Sequence, residues 1–142
     1  MSYENKKLEE FNKFLNNRKV AVIGLGVSNL PLLDYLHDKK AIVTVFDQRT
    51  IDEIPKETMD KITSYSFDFS LGEFYLEKLK GFDLIFRSPS CLPTVPELAE
   101  AEKNGAIETS EIELVLKMTP SKVIGITGSD GKTTTITLIH RI

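Results

Sequence analysis

The apolar positions along the chain switch period repeatedly, and the switches sketch an architecture before any single residue is weighed. Leu8, Phe11, Phe14 and Leu15 recur at helical spacing among lysine, glutamate and asparagine, which predicts a short amphipathic helix within residues 3–16. Lys19-Val-Ala-Val-Ile23 is instead a continuous apolar run, the pattern of a strand covered on both faces in a parallel sheet. A helix is expected from Leu30 to about Lys39 with Leu30, Leu33 and Leu36 inward, then a second strand over Ala41–Phe46. Residues 50–61 are polar and hold Pro55, so they read as loop with an ill-defined helix, and a short third strand is expected within Ile62–Phe67. Phe82–Phe86 predicts a fourth strand and Ala106–Thr109 a minimal last one.

Three stretches, Ser70–Glu73, Thr94–Glu97 and Ser110–Glu113, have the spacing of a capping box, and each predicts a helix start. That role accounts for Glu73, Glu97 and Glu113 without catalysis. Gly105 is a natural stop for the helix starting near Thr94. Strands alternating with helices indicate an α/β fold: a Rossmann-like open parallel sheet with helices on both faces. Past Thr119-Pro120 a fresh apolar run, Lys122–Thr127, begins another strand, loop and helix. The expected division is therefore residues 1–119 as one unit and residues 120–142 as the uncompleted start of a second.

Composition removes several classes of function. Of 142 residues, 41% are hydrophobic and 27% charged, ordinary for a soluble domain, and the net charge of −3 comes with no basic stripe for nucleic acid. No apolar run approaches the length of a membrane span, and the polar N-terminus is unlike a signal peptide, so neither a membrane nor export is expected. The single cysteine, Cys91, excludes an internal disulfide and suits a reducing cytoplasm. His37 and His140 are too isolated to hold a metal.

Candidate chemistry lies in the glycine loops. In Gly24-Leu-Gly-Val-Ser28, Gly24 allows a tight turn after the first strand and Gly26 lets backbone approach a pyrophosphate, with Ser28 or Asn29 capping the next helix. Asn29 stands where the third glycine of GxGxxG would be, which predicts looser helix–strand packing. Asp47 ends the second strand at about the 20-residue spacing where a carboxylate meets a ribose, or else simply starts a turn. Arg49 either answers a phosphate or is solvated. Ser88 and Ser90, beyond the fourth strand, offer hydroxyls to the same crevice or merely break the strand. These residues leave open a dinucleotide-binding module, such as half of a dehydrogenase using NAD.

The second loop is more specific. Gly125-Ile-Thr-Gly-Ser-Asp-Gly-Lys-Thr-Thr-Thr135 has the lysine and hydroxyl of a phosphate loop, with Lys132 expected to reach the outer phosphates of a nucleotide and Thr133 to hold Mg²⁺. Its first glycine sits at Gly125 rather than at position 126, where GxxxxGK[ST] requires it. On residues alone an ordinary phosphate-loop NTPase also remains open.

Thr127-Gly-Ser-Asp-Gly-Lys-Thr133 following an N-terminal glycine loop resembles the Mur ligases of peptidoglycan synthesis, whose ATP loop likewise lacks the first glycine. Val20–Gly26, Phe82–Pro89 and Thr109–Leu114 look most like the D-glutamate-adding branch of that family. The resemblance implies an ATP-dependent, amide-forming ligase in the cytoplasm, a monomer, using UDP-N-acetylmuramoyl-L-alanine, D-glutamate and ATP with Mg²⁺. Matched by position, Val27 and Ser28 fall in the pyrophosphate loop beside Gly26; Asp47, Gln48 and Arg49 fall in the uridine-side loop. Ser129, Asp130, Gly131, Lys132, Thr133, Thr134 and Thr135 fall in the ATP loop, with Lys132 and Thr133 as its catalytic pair. Ser90 stands where glycine is common in the family. The 142 residues alone are expected to bind the UDP moiety and to lack most of the catalytic site.

Overall fold

The computed structural model describes residues 5–26 and 29–140. Helix α1 (Lys6–Leu15) leads into β1 (Lys19–Ile23), followed by α2 (Asn29–Asp38), β2 (Ile42–Asp47), α3 (Lys56–Ser64) and β3 (Asp68–Leu71). Then come β4 (Leu84–Arg87), α4 (Pro96–Lys103), β5 (Ile107–Thr109), α5 (Glu111–Met118) and α6 (Lys132–His140). The five strands are all parallel in the order β3-β2-β1-β4-β5, so the sheet reverses its direction of growth between β1 and β4.

Side-chain alternation explains why the central strands read as unbroken apolar runs. Val20 and Val22 of β1, Val43 and Val45 of β2, and Leu84 and Phe86 of β4 enter one core together with Leu15, Leu33, Leu36 and Ile62. Ala21, Ile23, Phe46 and Ile85 point to the opposite face and pack with Leu79, Leu98 and Ala101. Both faces are covered, so neither tolerates polar alternation. The edge strands differ. Asp68–Leu71 pairs only with β2 and has no fully buried residue.

Several expected boundaries move, each for a local reason. The third strand lies at 68–71 and not within 62–67: Ile62 is the fully buried residue of α3, whose amphipathic turns continue to Ser64 before Ser66 breaks them at φ +56°. Ser70–Glu73 forms no capping box because Ser70 is paired with Phe46 in the sheet, and Gly72 then leaves the strand at φ +88° into successive turns rather than a helix. Thr94 caps nothing; α4 starts at Pro96 after Val95, and proline at the first position needs no donor partner. Ser110 does cap α5, accepting from Glu113 N–H at 3.3 Å, while the Glu113 carboxylate accepts from Thr109 Oγ1. In α2 the inward residues are Leu32, Leu33 and Leu36, with Leu30 only half-buried. Residues 122–127 form no strand, since no other described strand lies beside them to supply a ladder, and α6 has no buried residue.

Asn5 ties the two ends of the Rossmann-like unit. Its Oδ1 accepts from Leu8 N–H at 3.2 Å, capping α1, and its Nδ2 donates to the Met118 carbonyl at the end of α5 at 2.6 Å. Asn5→Ala is expected to lower stability by about 1–2 kcal/mol, the usual effect of losing an N-cap with one further hydrogen bond. A urea titration monitored by circular dichroism measures this; an unchanged midpoint would show that α5 is held by its side-chain packing alone.

Candidate functional site

The loops that follow β1, β2 and β4 converge on one crevice of about 270 Å³ beyond the carboxyl ends of the strands, lined by Ile23–Gly26, Asp47–Arg49, Tyr75, Ser88, Ser90 and Cys91. This is the switch point of the sheet, where ligands of open α/β folds sit. Gly26, Asp47, Gln48, Arg49 and Ser90 are therefore brought together as expected. Val27 and Ser28, also expected here, lie outside the described residues.

Each loop is strapped to its neighbour. Gly24 N–H donates to the Phe46 carbonyl at 2.7 Å, and Ser88 N–H to the Ile23 carbonyl at 3.0 Å, so the sheet's hydrogen bonding carries on into the site. Asn29 does not cap α2 with its side chain. It is 3% exposed, and its Nδ2 reaches back to the carbonyls of Gly24 at 2.7 Å and Ile23 at 3.1 Å. In the place of a third glycine, this side chain holds the Gly24 carbonyl and adds a second donor to the Ile23 carbonyl, which also accepts from Ser88 N–H.

Asp47 is occupied within the protein. Its buried carboxylate accepts from Leu25 N–H at 2.7 Å, Arg49 N–H at 2.9 Å, Arg49 Nε at 2.9 Å and Arg49 Nη2 at 2.8 Å. Four acceptances fill the lone-pair directions of a carboxylate. Burial alone would push the Asp47 carboxyl up, but the Arg49 side chain, these N–H groups and the guanidinium charge outweigh it and hold the pKa below the ordinary value. The second Arg49 contact, Nη2 to the Leu25 carbonyl at 3.1 Å, closes a clamp between the tip of β2 and the glycine loop.

The third wall is set by Arg87. Its Nε meets Glu108 Oε1 of β5 at 2.5 Å, with both side chains largely buried, and its Nη1 donates to the Cys91 carbonyl at 2.6 Å. The 88–91 turn is thereby closed, with the Ser88 and Ser90 hydroxyls 2.9 Å apart. Burial pushes the Cys91 thiol up against the pull of Arg87, so it stays protonated and weakly nucleophilic. Among the described residues no group of acidic, histidine or cysteine side chains is placed to hold a metal ion, and no helix is long and apolar enough to cross a membrane.

The other expected residues, Ser129 to Thr135, are not in the crevice lining; they form an exposed turn and the start of α6. Gly131 takes φ +76°, Lys132 Nζ donates to the carbonyls of Gly128 and Ser129, and Thr135 Oγ1 donates to the Gly131 carbonyl at 2.9 Å. Thr133 and Thr134 are exposed at the head of the helix.

A model of the MurD-like N-terminal domain of Mur ligases matches residues 18–109, the span from the end of α1 through β5. The chain belongs to this family. Similar proteins include the UDP-N-acetylmuramoylalanine–D-glutamate ligase of Ruminiclostridium cellulolyticum, 48% identical over 137 residues, covering 96% of this chain and 29% of that protein. Proteins of the same name from Clostridium tetani, 47% identical over 138 residues, and Acetivibrio thermocellus, 43% identical over 139, cover 97% of this chain and 30% and 29% of their own lengths. The chain thus spans less than a third of these relatives. In the MurD-like unit, Tyr75 and the positioning roles of Arg87 and Asn29 went unnoticed in the sequence. Only the Arg87–Glu108 pair had a signal: opposite charges on two consecutive apolar strands, which become neighbours if those strands pair.

Proposed function

We propose that the chain is the UDP-holding part of an ATP-dependent ligase that joins D-glutamate to UDP-N-acetylmuramoyl-L-alanine in peptidoglycan synthesis. The observation that carries this reading is the crevice at the switch point, built from a glycine loop, the tip of β2 and the 88–90 turn. Gly26, which has no side chain and where an added Cβ would meet nothing within 4 Å, would face the diphosphate, while the Asn29 and Leu30 N–H groups hold its carbonyl in place. Gln48, Arg49 and Ser90 would meet the uridine side, while Asp47 acts as a positioning residue.

Residues 1–119 form the nucleotide-sugar unit, and residues 120–142 open the ATP unit. In such a ligase the substrate carboxylate accepts the terminal phosphoryl group of ATP, and the amine of D-glutamate then displaces phosphate to form the amide. The donor set from Ser129 to Thr135 fits a nucleotide with Mg²⁺: Gly131 turns the backbone, Thr133 presents a free-standing hydroxyl, and Lys132 now rests on loop carbonyls that a phosphate would replace. When bound, Mg²⁺ would neutralise charge on the phosphates, with Thr133 as its protein ligand. Lys132 would stabilise the outer phosphates, and the N–H groups of Asp130 through Thr134 would orient them, Thr135 N–H being held by the Gly131 carbonyl at 2.9 Å. A cytoplasmic monomer is the working state of this reading.

Calorimetric titration with UDP tests it. Saturable binding, with amide shifts concentrated near Gly26 and Asp47, is expected. No response at millimolar UDP, or stronger thermal protection by NAD than by UDP, would sink it.

A further inference from the structure

We propose that Tyr75 is the platform on which the base of the bound uridine nucleotide stacks, an inference that rests on the UDP reading above. Among the described residues Tyr75 is the only aromatic side chain lining the crevice. It reaches there from the irregular 72–80 segment, which the sequence pattern gave no reason to place near a ligand. That segment is tied to the uridine end: Gly72 N–H donates to the carbonyls of Asp47 at 3.0 Å and Arg49 at 3.1 Å, and Tyr75 N–H donates to the Gly72 carbonyl at 3.2 Å.

The two ends of the crevice therefore differ in chemistry. At the glycine loop the N–H groups of Gly24, Leu25, Asn29 and Leu30 are already bonded within the protein, and Gly26 supplies bare backbone for the phosphates. The tip of β2 presents the Gln48 amide and the Tyr75 ring, a hydrogen-bonding group beside a π surface, which is what a planar, edge-polar pyrimidine requires. The ring is half-buried and packs against the cluster containing Ile23, Phe46, Leu76 and Leu79, so it is already fixed and loses little freedom when a base lies on it. Burial, helped by the Cys91 thiol and the negative charge of Asp47, raises the phenol pKa, so no charge develops at this wall near neutral pH.

Stacking on aromatic side chains is sensitive to the aromaticity of both partners, and this gives a test with two independent arms. Wild type, Tyr75→Phe and Tyr75→Leu are titrated with UDP and with 5,6-dihydro-UDP, whose puckered ring keeps the same hydrogen-bonding edge but cannot stack. Wild type and Tyr75→Phe are expected to prefer UDP by about tenfold, and Tyr75→Leu to lose that preference. Thermal unfolding of the same samples reports whether leucine disturbs the core; if it does, the ligand comparison on wild type alone still decides. Equal affinity of wild type for the two ligands, or an undiminished preference in a folded Tyr75→Leu, overturns the inference while leaving the UDP site intact. Failure of wild type to bind UDP at all overturns both.

Discussion

Asp47→Ala is expected to lower stability by about 3 kcal/mol at neutral pH and to weaken UDP binding roughly tenfold. The side chain is only 6% exposed and holds Leu25 N–H and three donors of Arg49. Alanine leaves a backbone donor of the glycine loop without its partner and frees the guanidinium. Removing one member of a fully buried pair costs about 3–5 kcal/mol, but Arg49 is 37% exposed and rehydrates, which places the effect at the lower end. The sign of the pH dependence follows from the depressed pKa. The unfolded carboxyl binds a proton at higher pH than the folded one, so this stabilisation is fully present above the ordinary value of 3.8 and is lost as pH falls through the lower folded value. Urea midpoints of wild type and variant should stand well apart at neutral pH and converge in acid. Parallel curves over the whole range would show that the carboxylate is not the group holding the loop.

The fate of Asp47 also shows where sequence pattern stops being informative. Spacing placed it correctly at the tip of β2, because the distance from a glycine loop to the next strand end is set by one helix and one strand of ordinary length. Spacing did not show that a carboxylate there can be consumed by the loop itself, since that depends on Arg49 folding back across two residues. The central strands were legible because burial on both faces forbids polar residues, as Val20–Ile23 and Leu84–Phe86 illustrate. The edge strand Asp68–Leu71 was not: paired on one side only, it has no need of an apolar run, while the fully buried Ile62 before it belongs to a helix. Capping-box spacing failed at Ser70 for the same reason. The motif describes only local hydrogen bonds, and pairing with β2 claims Ser70 first. Tyr75 carried no sequence signal because a turn segment has no period.

Gly24→Ala is expected to be as damaging as Asp47→Ala, by a different route. Gly24 has φ +88°, where a side chain costs about 1–2 kcal/mol, and an added Cβ would stand 2.6 Å from Ser88 Oγ and 3.0 Å from Ser88 Cβ. Ser88 has little room to yield, because its N–H is bonded to the Ile23 carbonyl and its hydroxyl to Ser90. Overpacking of this kind adds about 1–3 kcal/mol, and relief by shifting either loop would open the crevice, so UDP binding should fall with stability. Removing the obstructing side chain separates the two contributions. Gly24→Ala combined with Ser88→Gly should recover the steric part and retain the backbone part; no recovery would mean that backbone strain alone carries the effect. Gly26 provides the contrast, since an added Cβ there would meet nothing within 4 Å. Gly26→Ala should change stability by no more than about 0.5 kcal/mol. If it nevertheless weakens UDP binding, the two glycines divide the work of the loop: Gly24 shapes it against the 88–90 turn, and Gly26 leaves backbone bare for the diphosphate.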